Sequence, residues 1–238
     1  MARILQILTR LAVRGVPRHV LDLSAGLLAR GHQVEIVAGQ SDPGEGSLWE
    51  EAGRRQIPAT YLPSLQRALA PAADLWAFAG LYRKIARSRP DLVHTHISKA
   101  GVLGRLAACL AGVPVVVHTY HGLVEEVEGP SLRSRFLRAA ERLACRRTDA
   151  LIAVGQETAT GLQALGLGAS HQYRVIRNGI DLQRFAPDLG DPPAALPGSP
   201  LLGVIASFTP EKGLDLIIQA LAGLGVRYPQ LHLCLVGG

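Results

Sequence analysis

The stretch RILQILT from Arg3 to Thr9 carries the apolar pairs Ile4-Leu5 and Ile7-Leu8 on either side of Gln6, the pattern of a strand buried on both faces of a sheet. A loop with Gly15 follows, and Pro17 suits the first turn of a helix. Val20, Leu23 and Leu27, backed by Leu21 and Leu28, then recur at helical spacing. Gly31 stands where helices end, and QVEIVAG from Gln33 reads as the next strand. Strand, helix and strand within about 36 residues form a βαβ unit, which demands a parallel sheet.

The alternation continues. Asp91–His96 (DLVHTH) reads as a strand, Gly101–Ala111 as a helix and Pro114–Thr119 (PVVVHT) as a strand. Arg133–Arg147 is a helix, Ala150–Val154 a strand, Glu157–Leu165 a helix and Arg174–Arg177 a short strand before the turn signal Asn178-Gly179. The predicted fold class is α/β: a complete, doubly wound, Rossmann-like amino-terminal domain over residues 1–186. Residues 187–200 hold five prolines and two glycines without periodicity and read as a linker. From 201 to 238 a second βαβ begins, with strand LLGVIA, a helix from about Pro210 to Tyr228 and strand LHLCLVG. One such unit does not cover both faces of a parallel sheet, so this second domain reads as partial. Residues 44–60 and 63–75 give no clear pattern.

Composition narrows the picture. With 48% hydrophobic and 18% charged residues the chain is of globular type. Cys109, Cys145 and Cys234 have no metal-like spacing and sit in apolar stretches, which fits a reducing cytosol. The start is too brief in its apolar run for a signal peptide, and the longest apolar run, Leu106–Val117, is interrupted by Gly112 and Pro114. A net charge of +6 suits anionic partners without choosing among them.

In an open parallel sheet, ligands bind beyond the carboxyl ends of the strands. Thr209-Pro210-Glu211-Lys212-Gly213 is the sharpest candidate there. A helix start offers free N–H groups and partial positive charge, and Lys212 adds a full one, so a diphosphate could sit there; an ordinary capped helix fits as well. His118 and His121 follow the strand PVVVH and suit either a sugar hydroxyl and proton transfer or a structural role. His94 and His96 share one strand face and read mainly as structural; without an acidic partner nearby they suggest no metal. Gly15 stands where a small residue lets a phosphate approach the backbone, though a plain turn glycine is the simpler account. The helix Arg133–Arg147 carries six arginines against Glu141, with Leu132, Phe136 and Leu143 as a partial apolar stripe. It suits either an acidic membrane surface or a solvated outer face. Its basic residues are not interleaved with aromatics, which argues against nucleic acid. The chain has no dinucleotide-binding or P-loop glycine motif after a strand.

Taken in order, four segments resemble family 4 glycosyltransferases of the GT-B fold. RGVPRHVLDLSAGLLARGHQVEIV (14–37) resembles the family's opening G-G-x-x-R-H-V segment, and RPDLVHTHISKAGVLGRLAACLAGVPVVVHTYHG (89–122) is similar to its central one. RVIRNGIDLQRF (174–185) resembles its V-I-P-N-G-I-D-x-x-x-F, and IASFTPEKGLDLIIQAL (205–221) its V-G-R-L-x-x-E-K-G segment. The resemblance implies transfer of a sugar from a nucleotide diphosphate donor, with retention, no cofactor and no obligatory metal. It implies that Lys212 binds the donor diphosphate, within a donor segment holding Ser207 and Glu211 and with Gly15 beside it. It further implies that His121 meets the transferred sugar and that Arg18, His19, Ser98 and Lys99 face the acceptor. Ser207 stands in place of the family's arginine and Arg14 in place of its first glycine. The chain ends before the family's nucleotide pocket and its E-x7-E motif.

The expectation is therefore a glycosyltransferase of cell-surface polysaccharide synthesis, acting at the cytoplasmic face on a glycan, a lipid-linked sugar or a small molecule. As written, the chain is expected to be an inactive fragment. The rivals are a non-enzymatic remnant, a subunit of a split transferase, and a GT-B sugar-nucleotide epimerase.

Overall fold

The computed structural model describes residues 1–123, 131–185, 200–225 and 227–237. The expected linker lies, apart from Pro200, outside the described residues. The chain divides into two compact units, Met1–Ile180 and Asp181–Gly238.

The first unit carries one seven-stranded sheet in which all pairings are parallel. Its strands are β1 (Arg3–Arg10), β2 (Gln33–Gly39), β3 (Ala59–Tyr61), β4 (Leu92–His96), β5 (Val115–Tyr120), β6 (Ala150–Ala153) and β7 (Tyr173–Val175). Its helices are α1 (Gly15–Ala29), α2 (Trp49–Arg54), α3 (Pro71–Ser88), α4 (Ser98–Leu110), α5 (Leu132–Cys145) and α6 (Gln156–Ala164). The spatial order β3-β2-β1-β4-β5-β6-β7 reverses between β1 and β4, the doubly wound arrangement of a Rossmann-like domain. β1 carries apolar residues on both of its faces, Leu5 and Ile7 on one and Ile4 and Leu8 on the other, because both faces are covered. Leu5 and Ile7 pack with Ala77, Leu81 and Ile85 of α3 and Ala107 of α4 on one face. Leu8 packs with Val20 and Leu21 of α1 on the other. Gly104 lets α4 lie close to the sheet: a Cβ there would come within 2.8 Å of Thr95. No described helix is long and apolar enough to cross a membrane.

Several elements differ from the sequence expectation. The region 44–60 contains α2 and the edge strand β3, and α3 begins at Pro71, inside the stretch without a clear pattern. α4 starts at Ser98, three residues before the expected Gly101, and so directly follows β4.

The second unit contains β8 (Leu201–Ile205), α7 (Leu214–Gly225) and β9 (His232–Val236), a βαβ unit with the two strands parallel. The helix expected from Pro210 does not begin there. Pro210–Lys212 is a single 3₁₀ turn, closed by Gly213 in the left-handed conformation at φ 60°, and α7 begins at Leu214. The Thr209 side chain makes no capping bond. None of the described residues of α7 is buried.

Candidate functional site

The switch point between β1 and β4 sets the place of the site, at the carboxyl ends of β1, β4 and β5. Gln6 on β1 pairs in register with His94 on β4, and His96 with Thr119 on β5. Alternation along the strands then puts Gln6, His94, His96, Thr119 and His121 on the α1 face of the sheet. Thr95 and His118 fall on the opposite face, under α4. The two histidines of HTYH therefore have different surroundings.

His118 is fully buried, bonded through Nδ1 to the Thr95 hydroxyl at 2.8 Å, and its ring fills the space left by Gly101. This is a packing position. His121 Nε2 lies 3.1 Å from His96 Nδ1, and His96 Nε2 lies 2.8 Å from the Gln6 side-chain oxygen. His94 stacks on His96 with ring centroids 4.2 Å apart and bonds to the Thr119 hydroxyl at 2.7 Å. From α1, His19 sets its ring edge-to-face on His121, centroids 5.4 Å apart.

Burial and the neighbouring rings keep this column neutral. Desolvation first, and then His121 and His19, lower the His94 pKa to about 3. Desolvation first, and then His19, lower that of His121 to about 4. His96 and His118 are held well below the ordinary value of 6.5, and His19 is lowered too, in each case chiefly by burial. In neutral rings the hydrogen bonds fix the tautomers. The Gln6 oxygen only accepts, so His96 carries its proton on Nε2 and accepts at Nδ1. His121 must then donate from Nε2, which leaves its Nδ1 as a lone-pair acceptor. That Nδ1 is buried and has no hydrogen-bond partner among the described residues. His121 is thus arranged to accept a hydrogen bond from a hydroxyl, and its lowered basicity makes it a poor proton carrier at neutral pH.

Between β4 and α4, Ile97 adopts φ 65° and ψ 153°. A β-branched residue holds such a conformation at a cost of about 1–3 kcal/mol, and strain of this kind gathers at functional sites. It turns the chain sharply from His96 into α4. Neither this strain nor the Gln6–His96–His121 chain was read from the sequence. The alternation in DLVHTH signalled His94 and His96 as a pair, but nothing local signalled the partner His121.

The other candidates are less uniformly placed. Gly15 opens α1, and a Cβ there would meet nothing within 4 Å, so the space beside it is open. Arg14, which stands where the family has glycine, bonds Glu45 at 3.3 Å, and Glu45 is shared with Arg10. Arg18 is paired with Glu51 at 2.5 Å. Lys99, in the first turn of α4, is tied to Asp74 and to the Ala68 carbonyl. Ser98 opens the same helix, and its side chain lies outside the described residues. In the second unit Lys212 is exposed at the end of the 3₁₀ turn, and the Ser207 hydroxyl meets that of Thr209 at 3.2 Å. Glu211 belongs to the turn, with its side chain outside the described residues. Among the described residues no group of three or more His, Cys, Asp or Glu is placed to hold a metal ion.

The family profile described as Glycosyltransferase Family 4 matches residues 13–184. A UDP-Gal:alpha-D-GlcNAc-diphosphoundecaprenol alpha-1,3-galactosyltransferase of Escherichia coli is 36% identical over 132 residues, which cover 55% of this chain and 34% of that one. A D-inositol 3-phosphate glycosyltransferase of Actinosynnema mirum is 30% identical over 93% of this chain and 57% of its own. Among solved structures, Anabaena HepE in complex with UDP and glucose superposes with a TM-score of 0.71 at 20% identity, covering 99% of this chain and 61% of that one. That likeness shows the fold. The chain spans about half the length of the curated relatives it matches.

Proposed function

This chain belongs to Glycosyltransferase Family 4, and from that premise we propose that it serves a retaining transfer of a glycosyl group from a nucleotide diphosphate to an acceptor hydroxyl. The bond from the anomeric carbon to the diphosphate breaks, and a bond from the same carbon to the acceptor oxygen forms. The acceptor proton passes to the leaving phosphate. The observation that carries the reading is the neutral pair of buried His96 and half-buried His121 at the carboxyl edge of the sheet, with Nδ1 of His121 left without a hydrogen-bond partner among the described residues. Lys212 meets the diphosphate charge, alone where the family pairs it with an arginine, since Ser207 stands there. Gly15 has open space beside it, as the close approach of a phosphate to the backbone requires. Arg18, His19, Ser98 and Lys99 belong to the acceptor side of this reading. No cofactor and no obligatory metal enter it, so transfer should survive EDTA.

The acceptors named for the two relatives both carry phosphate, one on a polyprenol and one on inositol, and the basic chain with its net charge of +6 suits such acceptors. The α5 helix supports work at the cytoplasmic face of a membrane. Leu132, Phe136 and Leu143 are 82%, 72% and 49% exposed. They form an outward apolar stripe flanked by Arg133, Arg135, Arg142 and Arg146, the composition of an interfacial helix on anionic lipid.

The test is a transfer assay with a radiolabelled UDP-sugar and undecaprenyl-diphosphate-linked GlcNAc, in the natural polypeptide to which these residues belong. Lys212→Ala should weaken nucleoside diphosphate binding by about 1.5–3 kcal/mol, the scale of a hydrogen bond to a charged group. His121→Ala should lower turnover with little change in nucleotide affinity. Release of a free epimerised sugar nucleotide in place of a glycosylated acceptor would replace transfer by epimerisation.

A further inference from the structure

Beyond β2 and β3, on the same carboxyl edge of the sheet as His96 and His121, an open concavity of about 370 Å³ is lined by Gln40, Ser41, Ser47, Trp49 and Tyr61. Gln40 directly follows β2, Tyr61 is the last residue of β3, and Trp49 is the first of α2. The two aromatic rings meet edge-to-face, centroids 5.8 Å apart at 88°, and so form a corner. Trp49 is anchored against the cluster around Leu48 and Ala52, while Tyr61 is 46% exposed. The polar groups of the corner are largely unengaged. Ser41 Oγ is buried with no hydrogen-bond partner among the described residues. The Gln40 oxygen accepts from the Tyr61 hydroxyl at 3.3 Å, and its amide N–H groups remain available.

The chemistry of this lining is selective. It holds no charged side chain, so a phosphate or a carboxylate would find no counter-charge. Its two aromatic rings suit the flat C–H face of a sugar ring, and its amide and hydroxyls suit the ring's hydroxyls. Its position sets the scale of the ligand. β2 lies three strands from β5 in the order β2-β1-β4-β5, which is roughly 14 Å at the usual strand spacing. That is the reach of a short oligosaccharide and more than a single sugar.

We propose that the Trp49–Tyr61 corner is a subsite for a neutral hexopyranosyl unit of an extended acceptor glycan, held at a distance from the residue that receives the new sugar. The assignment rests on the transferase reading for its biological meaning, but the binding itself does not require turnover.

The experiment is saturation-transfer NMR on the 238-residue chain with four neutral trisaccharides as probes: maltotriose, cellotriose, mannotriose and N-acetylated chitotriose. At least one should bind saturably with a Kd of about 1 mM, and Tyr61→Ala should weaken it about tenfold, the effect of losing one stacked aromatic ring. Gln40→Ala should weaken it less, and Trp76→Ala, which alters the remaining tryptophan, should leave it unchanged. Because Trp49 also packs against the core, Trp49→Phe accompanies Trp49→Ala, and Tyr61→Ala decides the matter if the latter misfolds. Absence of saturation transfer from all four probes, or equal binding by the Tyr61→Ala chain, overturns the subsite. Tyr61-dependent binding by this chain, together with no transfer in the assay on the natural polypeptide, would refute the transferase reading and leave the subsite standing. Transfer whose acceptor KM is untouched by Tyr61→Ala would do the reverse.

Discussion

His94, His96 and His118 are buried, His121 is half-buried, and all four are neutral at neutral pH, with desolvation the first cause in each. A histidine whose folded-state pKa lies below 6.5 binds fewer protons folded than unfolded, so its contribution to stability is complete above about pH 6.5. That contribution is lost as pH falls toward the folded-state values, about 4 for His121 and about 3 for His94. Each such group then costs up to about 1.4 kcal/mol per pH unit. Urea unfolding at pH 7.5 and 5.0 should therefore show a marked loss of stability at the lower pH. His94→Gln keeps a partner for the Thr119 hydroxyl but cannot titrate, so it should flatten that dependence; parallel curves for the two proteins would refute the linkage. His118→Ala should act through stability too, since its ring fills the space over Gly101. The pairing that matters most was not legible at this scale. His94 and His96 announce themselves by alternation, whereas Gln6 and His121 reach them from strands 90 and 25 residues away. Register between strands decides that contact, and no local pattern encodes it.

At the scale of elements, the strands were legible because the central sheet is buried on both faces, which puts adjacent apolar residues along a strand, as in the Ile-Leu pairs of RILQILT and the three valines of PVVVHT. α3 was not, although its buried positions Ala77, Leu81 and Ile85 fall on one helical face. Its first turns also expose Leu75 and Trp76, which blurs the contrast between inner and outer positions. α7 was placed too early because Thr-Pro-Glu-Lys imitates a capped helix start, while Gly213 in the left-handed conformation breaks the chain after one 3₁₀ turn. α5 departs from an ordinary amphipathic helix: Leu132, Phe136 and Leu143 face out, while its inner face joins Leu137, Ala144 and Cys145 to a buried charge. Glu141 accepts from Arg105 of α4 at 2.5 Å and from the Tyr120 hydroxyl at 3.0 Å, all three buried. Removing one partner strands the other charge, so Arg105→Met or Glu141→Leu alone should cost about 3–5 kcal/mol in urea unfolding. The double variant should cost much less than the sum, and simple additivity would show that the pair is not coupled. Phe136→Asp on the outer stripe should leave stability unchanged but reduce cosedimentation with phosphatidylglycerol vesicles. Equal binding by parent and variant would count against membrane docking through α5.

At the scale of the whole chain, the two units differ in what holds them together. Met1–Ile180 contains three clusters of buried side chains drawn from both faces of its sheet. In the second unit no described residue of β8, α7 or β9 is buried, and Ile205, Leu216, Ile218 and Val236 are each more than half exposed. Burial of apolar area is the main favourable term in folding, and a two-stranded sheet with one helix supplies little of it. The free edges of β8 and β9 also offer unpaired backbone groups to another strand. Opening of the second unit should therefore cost far less than global unfolding of the first, and a protease that needs an unfolded segment will report the difference. Brief digestion of the 238-residue chain should leave a resistant fragment that starts at Met1 and ends near Ile180, identified by intact mass. The fragment should melt with the same pH dependence as the parent, because every histidine of the buried column lies within it. Calorimetry should show weak or absent binding of UDP-glucose to the undigested chain, whose second unit offers one βαβ and the exposed Lys212. Equal resistance of both units, or tight donor binding by the 238-residue monomer, would mean that the second unit is stabilised or completed by contacts of its own, and the stability argument above would fail.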